Sequence, residues 1–186
     1  MTREMRSAIS GVAIPADMPR QMFIGGRHVG AANGDRIETI DPATGKVFAD
    51  VPAATVGDVD AAVADSRAAL RGAWRGTLPV ERGRILARTA ALIRRDAERL
   101  AIIETLDSGK PLAESRGDVA TTAGYFEYYA GMADKLQGDS IPLGPDYMSF
   151  TLHEPVGVTA HIIPWNFPLV TTARGVAPAL AAGNTA

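Results

Sequence analysis

The residues best placed to do chemistry are Pro164, Trp165, Asn166, Phe167 and Pro168. They follow an apolar run from Val156 to Ile163 and precede a helical pattern from Leu169 to Ala182. A buried strand that runs through a turn into a helix is the unit in which α/β enzymes hold ligands, at the carboxyl end of the strand. Proline fixes φ on both sides of the Trp165–Asn166 pair, so the Asn166 amide is rigidly aimed. An aimed amide N–H can donate to an oxygen that gains charge during a reaction, where one preorganised donor is worth about 3 kcal/mol. An asparagine in a turn can equally satisfy its own backbone. Spacing alone leaves both readings open.

No second reactive group accompanies it. The sequence contains no cysteine, which excludes a disulfide scaffold, a thiolate metal site and a cysteine nucleophile within these residues. His28, His153 and His161 share no metal-ligand spacing and read as structural or surface groups. Gly25-Gly26 is followed by no helix, so it is not a phosphate loop. Glu104, Asp107 and Glu114 fall on or near helices and read as solvated or cap-related carboxylates. The arginines between 82 and 95 read as the wet face of an amphipathic helix.

The elements that must position Asn166 follow from turn signals and periodicity. Residues 22–24 and 27–29 flank Gly25-Gly26 as a hairpin, and Arg36–Ile40 and Lys46–Val51 read as two strands about the Asp41-Pro42-Ala43-Thr44-Gly45 turn. A helix starts at Thr55, with Asp58 answering it as a capping box and Val56, Val59, Val63, Leu70 and Trp74 on one face. Pro79 opens a second helix with Ile85, Leu86, Thr89, Leu92 and Ile93 inward and Arg82, Arg84, Arg88, Arg94 and Arg95 outward. A third runs from Asp96 to Gly109, and a fourth from Leu112 to Leu136, whose Tyr125, Phe126, Tyr128 and Tyr129 read as core and interface packing. Met148–Glu154 alternates as a strand, and Val156–Ile163 reads as a fully buried one.

Composition bounds the rest. The 186 residues carry 19 basic and 21 acidic side chains, a formal net charge of -2, and so no electrostatic footprint for nucleic acid or anionic lipid. Residues 1–20 hold Arg3, Arg6 and Arg20 but no apolar run long enough for a signal peptide or membrane span. A soluble cytoplasmic protein with a flexible arm over residues 1–20 is expected.

Four ordered stretches resemble the NAD(P)-dependent aldehyde dehydrogenase superfamily. They are Asp41 to Gly45, Glu104 to Glu114, Tyr128 to Gly138, and Glu154 through Ile162-Ile163-Pro164-Trp165-Asn166-Phe167-Pro168 to Thr185. The likeness spans residues 21–186 and covers less than half of such an enzyme, its amino-terminal portion. It implies an α/β fold: the amino-terminal part of a Rossmann-type cofactor domain, helix-rich with small β elements and an incomplete sheet. Residues 21–139 and 157–186 would form that incomplete domain, and 140–156 a strand of an oligomerisation element. The resemblance assigns Asn166 to the oxyanion, and Ile163, Pro164, Trp165 and Asn166 to contacts with NAD or NADP. It assigns Thr39, Ile40 and Asp107 to a structural K⁺ or Na⁺. It further implies a small aldehyde as substrate, oxidised to a carboxylic acid, and a homo-oligomer as the full-length form. The cysteine nucleophile, the glutamate base and the Lys-Pro-x-Glu segment of that family have no counterpart here. The rival expectation is a truncated, non-catalytic homologue acting as an interaction module.

Overall fold

In a computed structural model, residues 20–186 are described. All but the last residue of the expected arm, 1–20, lies outside them. Chain order begins with two hairpins. Strands β1 (Met22–Ile24) and β2 (Arg27–Val29) pair antiparallel across Gly25 and Gly26, whose φ values of 61° and 73° are the left-handed pair a two-residue hairpin turn requires. Strands β3 (Arg36–Asp41) and β4 (Lys46–Pro52) pair with a register shift between Thr39 and Ile40. The Asp41 carboxylate closes their turn by accepting from the Ala43 amide and the Thr44 hydroxyl at 2.8 Å each.

Helix α1 (Val56–Arg71) starts with the expected capping box: the Asp58 amide donates to Thr55 Oγ1 at 3.2 Å and the Thr55 amide to Asp58 Oδ2 at 2.8 Å. It buries none of its residues. Of the expected face, Val63, Leu70 and Trp74 are half-covered, while Val56 and Val59 stay exposed. A short 3-10 turn at Ala73–Gly76 leads to α2 (Pro79–Arg95), α3 (Ala97–Ser108) and α4 (Leu112–Met132). The last helix, α5, spans Pro168–Ala181. The core lies where α2, α4 and α5 meet and is built from Leu86, Ala90, Phe126, Ala133, Ala173, Ala177 and Ala181. Such small residues let helix backbones approach closely. A Cβ added at Gly83 would lie 2.6 Å from the Ala130 carbonyl oxygen.

Several expectations need correction. Helix α4 stops at Met132 rather than Leu136, and Phe126 alone of its aromatic cluster is fully buried. Leu92 faces solvent, and Arg82 turns inward: its Nε donates to the Ala181 carbonyl at 3.1 Å and its Nη1 to the Thr77 carbonyl at 2.9 Å. The long strand expected at Met148–Glu154 is only β6 (Ser149–Phe150), paired with β5 (Ser140–Ile141). Val156–Ile163 is extended but forms a single parallel bridge, Val158 with Thr185, held by Thr159 N–H to Thr185 O at 2.8 Å and Thr185 N–H to Gly157 O at 3.1 Å. It is not buried: Val156 is 94% and Ile162 98% exposed. A strand apolar on both faces needs neighbours at both edges and helices on both sides, and here one short partner is present. The result is the helix-rich, sheet-incomplete α/β architecture the resemblance implied.

Candidate active site

The extended segment delivers Asn166 to the start of α5. Phe167 is the residue before the first helical turn, Pro168 occupies that turn, and the Phe167 carbonyl accepts from Thr171 N at 3.0 Å. Trp165 and Asn166 both face solvent. Among the described residues, no hydrogen bond reaches the Asn166 amide or the backbone from Ala160 to Asn166. The side chain is therefore not occupied in closing its own turn.

What fixes the segment lies on either side. Behind it, the buried Asn184 accepts from Gly157 N at 2.9 Å through Oδ1 and donates from Nδ2 to the Ala179 carbonyl at 3.2 Å. The Trp74 indole N–H is shared between the Gly183 and Asn184 carbonyls at 3.0 Å each. His161 is half-buried, with Nε2 3.0 Å from Thr159 Oγ1, and its ring fills the space beside α5 that a Cβ at Gly175 would need. The histidine is thus structural, as its sequence context suggested.

Ahead of Asn166, the Phe167 ring carries the Lys110 ammonium 4.5 Å from its centroid. Lys110 Nζ also donates to Glu104 Oε1 and Asp118 Oδ2, at 2.7 Å each. The side chains of Lys110 and Glu104 are 10% and 1% exposed. Burial pushes the Glu104 carboxyl up, against the hydrogen bond from Lys110, and the Asp118 and Asp107 charges add to the rise. Burial also opposes the Lys110 charge, but the hydrogen bonds to Asp118 and Glu104 leave the ammonium above its ordinary value. Glu104 Oε2 is buried without a hydrogen-bond partner. This corrects the reading of Glu104 as solvated. The group was invisible to periodicity because Glu104, Lys110 and Asp118 lie on α3, its exit loop and α4, joined by the left-handed cap Gly109 at φ 75°.

A cavity of about 250 Å³ opens beside this cluster, lined by Thr39, Phe48, Glu104, Asp107, Pro168 and Leu169 among others. Thr39 and Asp107 are thus brought together; Ile40 does not line the cavity and is exposed. Burial pushes the Asp107 carboxyl up. No group of three or more His, Cys, Asp or Glu able to hold a metal occurs among the described residues. Nor is any helix among them long and apolar enough to cross a membrane.

Comparison with known proteins gives this geometry its context. The aldehyde dehydrogenase family model matches residues 28–186. An aldehyde dehydrogenase of Aspergillus niger is 47% identical over 169 residues, covering 91% of this chain and 34% of the relative. Among solved structures, a betaine aldehyde dehydrogenase of Staphylococcus aureus in complex with NAD⁺ superposes with a TM-score of 0.90 at 34% identity, over 97% of this chain and 36% of that one. An aldehyde dehydrogenase of Bacillus cereus gives 0.88 at 38% identity, over 100% and 37%. The chain belongs to the aldehyde dehydrogenase family. It spans about a third of the length of the curated relatives it matches.

Proposed function

We propose that the chain supplies the cofactor-side part of an aldehyde dehydrogenase that oxidises a small aldehyde to a carboxylic acid with NAD or NADP. The observation that carries this reading is the Asn166 amide, solvent-facing and uncommitted at the end of an extended segment and directly before a helix. The backbone from Ile163 to Asn166 has its polar groups available, which fits a nicotinamide nucleotide held largely through main-chain contacts with Ile163, Pro164 and Trp165. When bound, that cofactor supplies the hydride acceptor. Asn166 does the rest of what these residues can do: its N–H donates to the aldehyde oxygen as negative charge gathers there, within a turn that the flanking prolines narrow.

Thr39 and Asp107 would offer oxygen donors to a K⁺ or Na⁺, which would compensate the desolvated Asp107 carboxylate, whereas Ile40 lies outside the cavity they line. Residues 140–156 serve subunit assembly in this reading, and residues 21–139 with 157–186 form the incomplete cofactor domain.

With no cysteine among them, the 186 residues alone give only background NADH formation from any aldehyde. The decisive experiment places residues 20–186 in the matching third of the Aspergillus niger relative and follows single-turnover hydride transfer. Asn166→Ala slows acylation about 10²–10³-fold with little change in cofactor affinity. Asn166→Asp is slower still, since a carboxylate would face the developing oxyanion. Near-normal acylation in Asn166→Ala makes Asn166 a turn residue and overturns the assignment.

A further inference from the structure

The aim of Asn166 has no source in its own turn, because no hydrogen bond of that turn reaches it. In front of the turn stands the Phe167 side chain, 46% exposed, whose backbone is bonded directly to that of Asn166. Its ring meets an ammonium that two carboxylates on different helices have already fixed in place. Lys110 has little rotational freedom left: two charge-assisted bonds of 2.7 Å take two of its three N–H groups, and the ammonium lies over the ring, 4.5 Å from its centroid. The hydroxyls of Thr105 and Ser115 meet at 2.8 Å in the buried seam between α3 and α4, so the frame carrying Glu104 and Asp118 is itself braced.

We propose that Lys110 is a positioning residue: clamped by Glu104 and Asp118, it holds the Phe167 ring by a cation–π contact and thereby aims the Asn166 amide. This rests on the oxyanion role of Asn166. A lysine serving only to join α3 to α4 would need the two carboxylates and no ring. The contact with Phe167 ties that junction to the reacting end of the molecule. A partly desolvated cation–π contact is strong enough to bias a rotamer and a backbone angle, yet weaker than the hydrogen bond it orients.

The test uses the same chimeric enzyme, with active sites titrated so that rates are per folded molecule. Phe167→Leu removes the ring and leaves the ion cluster intact, so misfolding does not confuse the result. It slows single-turnover acylation about tenfold, short of the loss from deleting the amide, with KM for the cofactor unchanged. Phe167→Tyr keeps a ring face and retains the wild-type rate. Lys110→Met slows acylation to the same degree as Phe167→Leu, and the double variant is no slower than either single. In an Asn166→Ala background, Phe167→Leu and Lys110→Met add nothing, because the donor they aim is gone. If Asn166→Ala slows the step while Phe167→Leu and Lys110→Met do not, the positioning role is wrong and the oxyanion reading stands. If Phe167→Leu still slows the Asn166→Ala enzyme about tenfold, the ring acts on something other than Asn166 and the proposal falls. If Asn166→Ala is itself near normal, the underlying reading has failed.

Discussion

Replacing Lys110 by methionine should destabilise the chain strongly at neutral pH and only slightly at mildly acidic pH. Methionine keeps the length of the stem and removes the charge, leaving Glu104 and Asp118 facing one another around an apolar side chain beside Phe167 and near Asp107. The cheapest relief is protonation of Glu104, whose side chain is 1% exposed. Its ordinary value is 4.5, so holding it neutral costs at most about 3.4 kcal/mol at pH 7.0 and about 0.7 kcal/mol at pH 5.0. That ceiling at neutral pH agrees with the roughly 3–5 kcal/mol expected when one partner of a buried pair is removed. The sign follows from the direction of the shift. A carboxyl raised in the folded state stabilises fully below its unfolded value, and that contribution disappears as pH rises through the folded value. Removing Lys110 deletes the hydrogen bond that holds Glu104 down, so the folded value climbs further and the losing window widens upward. Asp107 is also raised by burial, but it titrates in both proteins and largely cancels in the difference. Urea unfolding followed by far-ultraviolet circular dichroism, on wild type and Lys110→Met at pH 7.0 and 5.0, measures it. A gap that is the same at both pH values, or larger at pH 5.0, refutes the reasoning.

Other outcomes rest on separate features. Gly83→Ala lowers stability by about 1 kcal/mol or more despite a better helix propensity, because the new Cβ meets the Ala130 carbonyl oxygen at 2.6 Å; Gly117→Ala on α4 meets nothing within 4 Å and gains about 0.5–1 kcal/mol. Thermal unfolding of the two variants should move in opposite directions, and a shift of the same sign in both would contradict the packing argument. The 186-residue chain alone should bind a hydrophobic dye and sediment as more than a monomer, since Val156, Ile162 and Trp165 present apolar surface along an open strand edge. A monomeric profile with sharp, dispersed amide signals would argue the reverse.

Local chemistry was legible in the sequence wherever the determining partners lie within a few residues. Gly25-Gly26 could only be a left-handed turn, Thr55 and Asp58 cap each other three residues apart, and Pro79 opens its helix. Burial was less legible because it is a property of neighbours. The amphipathic pattern of α2 placed Leu86 and Arg84 correctly, yet Arg82 turned inward because carbonyls of Thr77 and Ala181, the latter 99 residues away, lay within its reach. Val156–Ile163 has the composition of a central parallel strand and adopts an extended course. The expected burial fails because only Thr185 neighbours it among the described residues. Helix α1 makes the same point, with a hydrophobic face of which Val63 and Leu70 are only half-covered and Val56 and Val59 stay exposed.

The candidate site divides along the same line. The bracketing prolines of residues 164–168 marked the turn that carries Asn166 but left its role open between a donor and a turn residue, and nothing in spacing joins Glu104, Lys110 and Asp118 to Phe167. Yet the second set explains the first. Proline restricts φ at its own position and narrows the residue before it, which limits the turn without choosing where its side chain points. The choice must come from contacts outside the turn, and the structure offers two. Asn184 and the Trp74 indole fix the start of the extended segment to the end of α5. Lys110 fixes Phe167 at the beginning of that helix. Asn166 lies between the two anchors, so its amide can stay uncommitted to any protein group without being free to wander. An oxyanion donor needs that combination: a hydrogen left unsatisfied in the ground state, held where charge will later appear.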